Sequence, residues 1–410
     1  MLPVDSYIKY FIKIWENSSK NMPVFDRVYT ATEQQQREQN YEHFQQKIQA
    51  LQSRKNVRSM KRADPGKSFF PVFKAFLENV FDFRQEQLEI ILSDQFKGVS
   101  KDFYYKARAF GPELSPENIY QGMRNVWIMN GIQLIMNLPV EITPSVFAYS
   151  MIYPYSDNLL DETSLSTQEK KEFSERFNHR LHGESVKPHT HAESQLFRLV
   201  GMFEKQFPRA NFPGVYNSLY AIQTGQTNSL KLIGSKNLSN YEIKSICFEK
   251  GGASVLADGY LVAGNLTPDQ ERALFGYGVY LQLLDDIQDV KEDSEAQTHT
   301  LFSCTNRIHL DEFVNQTINF GRTVMKELLC FDNKNTVQFL PLMNRSIETM
   351  IIESAGLNPI HYSEEWMNRL EMNSPLRFEF IRKKRSQSKS QRFTLFQKYF
   401  KQQQREVVNF

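Results

Sequence analysis

The segment PDQERALFGYGVYLQLLDDIQDVKED, residues 268 to 293, restricts the possible folds more than any other part of the chain. Tyr277, Val279, Leu281, Leu283 and Leu284 fall on all sides of a helix, so a helix formed here is buried all round and needs several neighbours. Yet it closes on Asp285, Asp286, Asp289, Glu292 and Asp293, with no proline or glycine among them. Ionised carboxylates cannot enter a dry core without partners, so such a helix must end at a cavity or an interface. Positions i, i+4 and i+8 drift by only about 40° per step, which puts Asp285, Asp289 and Asp293 on one stripe. Glu292 lies at its edge, and Asp286, about 100° from Asp285, is set apart from it. Like charges at this spacing repel, and the stripe asks for a compensating cation.

A second acidic pair closes a second apolar helix. In FAYSMIYPYSDNLLDE, Asp157 and Asp161 stand at i and i+4, with Asn158 and Glu162 beside them. Two aspartate walls facing each other could hold divalent ions, and hard oxygen ligands select Mg²⁺ or Mn²⁺. The chain also carries 32 Phe and 18 Tyr. These rings either fill an aromatic core or line an apolar cavity. A Mg²⁺ cluster above a ring-lined cavity suits one chemistry, in which metal neutralises a departing diphosphate while rings shield an allylic cation from water. Lys250 in EKGGAS, where two glycines permit close helix approach, Lys231 in GQTNSLK and Arg124 in QGMRNVW are candidates to hold the diphosphate, with Gln226 and Asn228 as hydrogen-bonding groups.

The remaining sequence predicts an all-α protein. Apolar residues recur three and four apart from FFPVFKAFLENVF onward, and Ser115 with Pro116 and Glu117 signals a helix start. Period-two alternation and internal repeats are lacking. The expected organisation is a polar N-terminal extension over 1–66, a helical domain around a central cavity over 67–380, and a basic tail over 381–410. In that tail Phe393, Phe396 and Phe400 would form a stripe beside Lys398, Lys401 and Arg405, suited either to packing or to peripheral contact with anionic lipid. Lysine plus arginine (49) nearly balance aspartate plus glutamate (47), so no field favours nucleic acid. Cys247, Cys304 and Cys330 are too scattered for zinc or a disulfide framework and imply reduced thiols. With no signal-peptide pattern and a mean hydropathy of −0.50, the expected location is the cytoplasm.

DNLLD and LLDDIQDVKED resemble the two aspartate-rich motifs of class I isoprenoid synthases, the all-α group that includes prenyl diphosphate, squalene, phytoene and terpene synthases. The run from ELSPENIYQGMRNVW through SVFAYSMIYPYSDNLLDE to LQLLDDIQDVKED is similar to bacterial class 1 isoprenoid biosynthesis enzymes, over residues 70 to 380. The resemblance implies a single large helical bundle and metal ligation by Asp157 and Asp161 from one wall and Asp285, Asp289 and Asp293 from the other. It implies about three Mg²⁺ ions with the diphosphate of a prenyl substrate. It further implies ionisation of that substrate, for cyclisation or head-to-head condensation. Asn158 stands where a second leading aspartate is usual, and no Arg-Arg pair follows the first motif, which argues against ordinary head-to-tail elongation.

Two rival functions remain open on the sequence. His179, His182, His189 and His191 in NHRLHGESVKPHTHAE could serve a metal-dependent phosphohydrolase, although Gly183 and Pro188 mark a loop. The same fold could instead bind a lipid without catalysis.

Overall fold

A computed structural model describes residues 2–52, 65–161, 166–234, 238–303 and 309–388, without the side chains at 51–52, 65–68, 157–161, 167 and 386–388. Among these residues the chain is helical, with one isolated bridge, Ile233 to Thr298, and no strand. The helices in order are α1 (Val4–Asn17), α2 (Ala31–Gln52), α3 (Pro65–Phe81), α4 (Gln85–Ile91), α5 (Asp94–Phe110), α6 (Pro116–Ile135), α7 (Pro144–Asp161), α8 (Thr167–Leu181) and α9 (His191–Gln206). They continue as α10 (Pro213–Ser229), α11 (Asn240–Ala263), α12 (Pro268–Gln288), α13 (Val290–Glu295), α14 (Asp311–Glu327), α15 (Lys334–Leu357), α16 (Glu364–Glu371) and α17 (Phe378–Ser388). No described helix is long and apolar enough to cross a membrane. Among the described residues Cys247, buried, and Cys330, exposed, form no disulfide; Cys304 and the tail residues Phe393, Phe396 and Phe400 lie outside the described residues.

The chain divides into two compact units. The first comprises Met1–Asn21, Val99–Asn306 and Phe313–Asn344 and is built on the antiparallel pair α11 and α12. Both helices start on side-chain caps, Ser239 with Glu242 and Thr267 with Gln270, which satisfy N–H groups the first turn leaves free. They touch backbone to backbone: a Cβ added to Gly251 would lie 2.7 Å from the carbonyl oxygen of Gly278, and one added to Gly278 would fall on the Gly251 carbonyl. Only glycine permits that approach. Helix α12 is buried along most of Glu271 to Ile287, continuously from Ala273 to Tyr280, as its apolar pattern demands.

Helix α1 corrects the expectation of a peripheral polar extension over 1–66. Its residues Tyr7, Ile8, Phe11, Ile12 and Trp15 are buried in the first unit. Phe11 stacks on Phe275 at 6.0 Å, Trp15 meets Phe248 and Phe320 edge-on, and Tyr7 Oη donates to Glu271 at 2.7 Å. The lysines that made the segment read as polar sit on its opposite face and leave the apolar stripe intact.

The second unit comprises Met22–Gly98, Arg307–Glu312 and Arg345–Phe410. Here α2 is held by polar side chains, which explains its thin apolar stripe. Gln34 donates to the carbonyls of Glu371 and Ser374, buried Arg37 reaches Asp82 at 2.6 Å, and Glu38 pairs with Arg377. Phe44 and Phe76 stack at 4.0 Å to join α2 to α3.

Candidate active site

The stripe predicted from i, i+4 and i+8 spacing survives a bend. Helix α12 ends at Gln288, Asp289 sits between helices at φ −99° and ψ 13°, and α13 begins at Val290. The bonds Asp289 N–H to Asp285 O (2.9 Å) and Asp293 N–H to Asp289 O (2.8 Å) carry the helical register across the join. Asp285, Asp289 and Asp293 therefore open onto one cavity of about 230 Å³.

Asp286 lines the same cavity, although its angular offset set it apart in the sequence. It is 3% exposed; Gln282 Nε2 donates to its Oδ1 at 2.8 Å, and its Oδ2 has no hydrogen-bond partner among the described residues. Burial pushes this carboxyl up to about 7. Burial and then repulsion from Asp289 and Asp285 push Asp293 up to about 6, and Asp289 is raised by burial and Asp285. The acids share too little positive charge to settle at ordinary values.

The cation that faces them is Lys250, half-buried on α11 and lining the cavity. Its charge opposes the upward shifts of Asp286, Asp289 and Asp293. Arg124 is exposed on α6 and does not line the cavity, yet its field reaches Asp289. Lys231 points elsewhere: its Nζ donates to Asn228 Oδ1 at 2.7 Å, and Asn228 Nδ2 donates to Glu249, while Gln226 is exposed. None of Lys231, Asn228 or Gln226 lines the cavity.

The far rim was invisible in the sequence. The 3₁₀ turn Leu230–Leu232 is tied to residues 297–299 through Gly234 N–H to Gln297 O and His299 N–H to Leu232 O, both 2.9 Å. This tie brings Ser229, Thr298 and Thr300 to the cavity. They come from loops and helix ends, where no periodicity marks them.

The first acidic motif lies on the last turns of α7, whose side chains from 157 to 161 are not described. The backbone register is informative. Ser145 Oγ donates to Leu261 O at 2.6 Å, and Tyr153 Oη lies 3.2 Å from Ser254 Oγ, so α7 and α11 run antiparallel in step. Continued by one turn, that register sets position 157 level with position 250.

Two alternatives that the sequence leaves open can be compared with the described residues. Among the described residues, the cavity at the aspartates has no aromatic residue in its lining. The rings of the first unit pack instead as core, around Phe11, Phe248, Phe275 and Phe320. The four histidines do not converge: His179 pairs with Glu184, His182 stacks on Tyr220 at 4.0 Å, and His191 meets Glu113 at 3.2 Å. The backbone N–H of His189 donates to Glu193.

Among the described residues no group of three or more His, Cys, Asp or Glu side chains is drawn together closely enough to hold a metal ion. Carboxylates of like charge do not converge unaided. The donor set nevertheless fits a hard divalent cation, being all carboxylate oxygen, with acids held above their usual range and an unpaired buried Oδ2 on Asp286.

No protein-family model matches the chain, and no curated protein does. Solved structures similar to it include a geranyltransferase from Legionella pneumophila, 12% identical, covering 65% of this chain and 99% of that one at a TM-score of 0.39. A geranylgeranyl pyrophosphate synthetase from Pyrococcus horikoshii Ot3 is 16% identical, over 72% of this chain and 98% of that one, at a TM-score of 0.35. One from Geoglobus acetivorans is 14% identical, over 70% and 98%, at 0.29. At TM-scores below 0.5, none of the three fixes the fold.

Proposed function

We propose that the chain is an isoprenoid-processing enzyme that holds the diphosphate of an allylic prenyl diphosphate at the carboxylate end of α12 and ionises its C–O bond there. The observation that carries this reading is the single cavity shared by Asp285, Asp286, Asp289, Asp293 and Lys250, in which acids outnumber bases. Asp285, Asp289 and Asp293 would hold Mg²⁺ from one wall, and Asp157 and Asp161, on the helix in step with Lys250, from the other. Mg²⁺ held there supplies the positive charge that neutralises a diphosphate leaving group.

The chain's own groups do the rest. Lys250 donates to diphosphate oxygens, stronger in the departing state than in the bound one because charge builds on them. The closely packed α11 and α12 keep Lys250 and Asp285 at fixed separation, which limits reorganisation as charge develops. No general base is required to begin. The cation then closes on itself or is captured by a second prenyl group, and the new cation loses a proton to the released diphosphate or to water.

The test is inorganic diphosphate release from geranyl, farnesyl and geranylgeranyl diphosphate with Mg²⁺, with mass spectrometry of the products. Mg²⁺-dependent release is expected. Release no faster than in buffer for every chain length would overturn the enzyme and leave a binding protein, and Zn²⁺-dependent phosphate release would favour a phosphohydrolase.

A further inference from the structure

A second polar cluster lies inside the first unit, away from the carboxylate cavity. Asp258 on α11 is 1% exposed. Its Oδ1 accepts from Asn125 Nδ2 at 3.3 Å, and Asn125 also donates to Ser150 Oγ at 3.2 Å. Its Oδ2 is buried with no hydrogen-bond partner among the described residues. Burial holds this carboxyl well above the usual range, against the bond from Asn125. The same proximity lets Asp258 act on the Tyr149 and Tyr277 hydroxyls, both raised chiefly by burial.

The cluster is placed systematically with respect to the charged end. Asp258 follows Lys250 by eight residues on α11, Tyr277 precedes Asp285 by eight on α12, and Tyr149 precedes position 157 by eight on α7. Eight residues of helix rise about 12 Å, so Asp258 and Tyr149, on helices in step, lie about that far from positions 250 and 157. Between the two levels, Tyr153 Oη reaches Ser254 Oγ at 3.2 Å and donates to Tyr149 Oη at 3.3 Å. A carboxyl buried with one oxygen unmatched weakens a core that leucine would strengthen, and calls for a partner that the described residues do not provide.

We propose that Asp258, oriented by Asn125, is an interior binding site for one uncharged oxygen, supplied either by water or by a hydroxyl on the inner end of a bound prenyl chain. The second source rests on the diphosphate reading above; the first does not. A plain hydrocarbon tail gains nothing from this group, so the site discriminates between chains of equal length by the oxygen they carry.

The experiment has two arms, both on the full chain. In a high-resolution crystal structure of the ligand-free protein, an ordered water is expected within hydrogen-bond distance of Asp258 Oδ2. In titrations with Mg²⁺, geranyl and farnesyl diphosphate are compared with their ω-hydroxylated counterparts, and one of the hydroxylated pair is expected to bind about tenfold tighter. Asp258→Leu should abolish that preference and melt at a higher temperature, while Asp258→Asn, which keeps a donor, should retain it. Neither water nor preference, or a preference that survives in Asp258→Leu, overturns the proposal. If no diphosphate binds at all, the carboxylate site has been misread, and the water alone decides the case: present, it supports the Asp258 site; absent, it overturns it.

Discussion

Two acidic regions of the first unit differ in how their charge is met. On α9, Glu193 is almost wholly buried, yet Arg176 donates to it at 2.6 Å and the backbone N–H of His189 at 2.6 Å. Burial pushes Glu193 up, but these bonds outweigh burial and hold it below the usual range. Glu204 is likewise lowered by Arg180 and, against burial, by Arg209. At the end of α12 the balance is reversed: burial and mutual repulsion raise Asp286, Asp289 and Asp293, with Lys250 the cation lining their cavity. Acids that hold a fold together are matched by it, whereas on the proposed function the acids at the end of α12 are left for a ligand to match.

The largest expected effect breaks this contrast from both sides. Asp285→Asn and Asp157→Asn should each lower Mg²⁺-dependent diphosphate release by about 10²–10³-fold, the scale of losing one charge-stabilising group, with helical circular dichroism unchanged. Glu193→Gln should do the opposite, sparing turnover per folded molecule but destabilising by about 2–4 kcal/mol, because Arg176 loses its buried partner. Near-normal turnover in Asp157→Asn would remove the α7 wall from the site. Equal stability losses in Asp285→Asn and Glu193→Gln would mean that the two regions do the same work.

A smaller effect separates them by pH. Asp286 and Asp293 have folded values near 7 and 6, above the roughly 4 of an unfolded chain. The native state therefore binds more protons, and stability falls as pH rises through that window. Glu193 and Glu204 are lowered, so their contribution stands above the ordinary glutamate value and is lost only in more acidic solution. In chelator, the melting temperature should fall from about pH 5 to pH 8, and less so in Asp286→Asn. Added Mg²⁺ should raise it more at the upper pH. An equal Mg²⁺ effect at both ends would disconnect cation binding from these carboxylates.

Much of this site was legible because helical spacing is rigid. The stripe Asp285, Asp289 and Asp293 follows from rotation per residue alone, and the glycines after Lys250 announced the close α11–α12 contact. That Asp286 also lines the cavity was not legible, because angular position on an isolated helix does not reveal what packs beside it. Here the α11 face carrying Cys247 and Lys250 closes the same cavity. Helix α1 was missed because its lysines lowered the average while its buried face stayed apolar, and α2 because buried Gln34 and Glu38 carry no apolar signal. The rim at Thr298 and Thr300 depends on a backbone tie between two loops, which has no sequence period at all.

The smallest expected effect tests the outer cations. Arg124 is exposed, so solvent screens its pull on Asp289, and Arg124→Met should raise the KM for a prenyl diphosphate by about two- to fivefold, in the range of exposed charge pairs. That loss should shrink further in high salt. Lys231 is engaged with Asn228 outside the cavity, and Lys231→Met should leave KM and kcat unchanged. A large loss in Lys231→Met with Arg124→Met silent would show that the diphosphate lies on the α10 side of the carboxylates, toward the Leu230–Leu232 rim, and would reverse the order of the two cations.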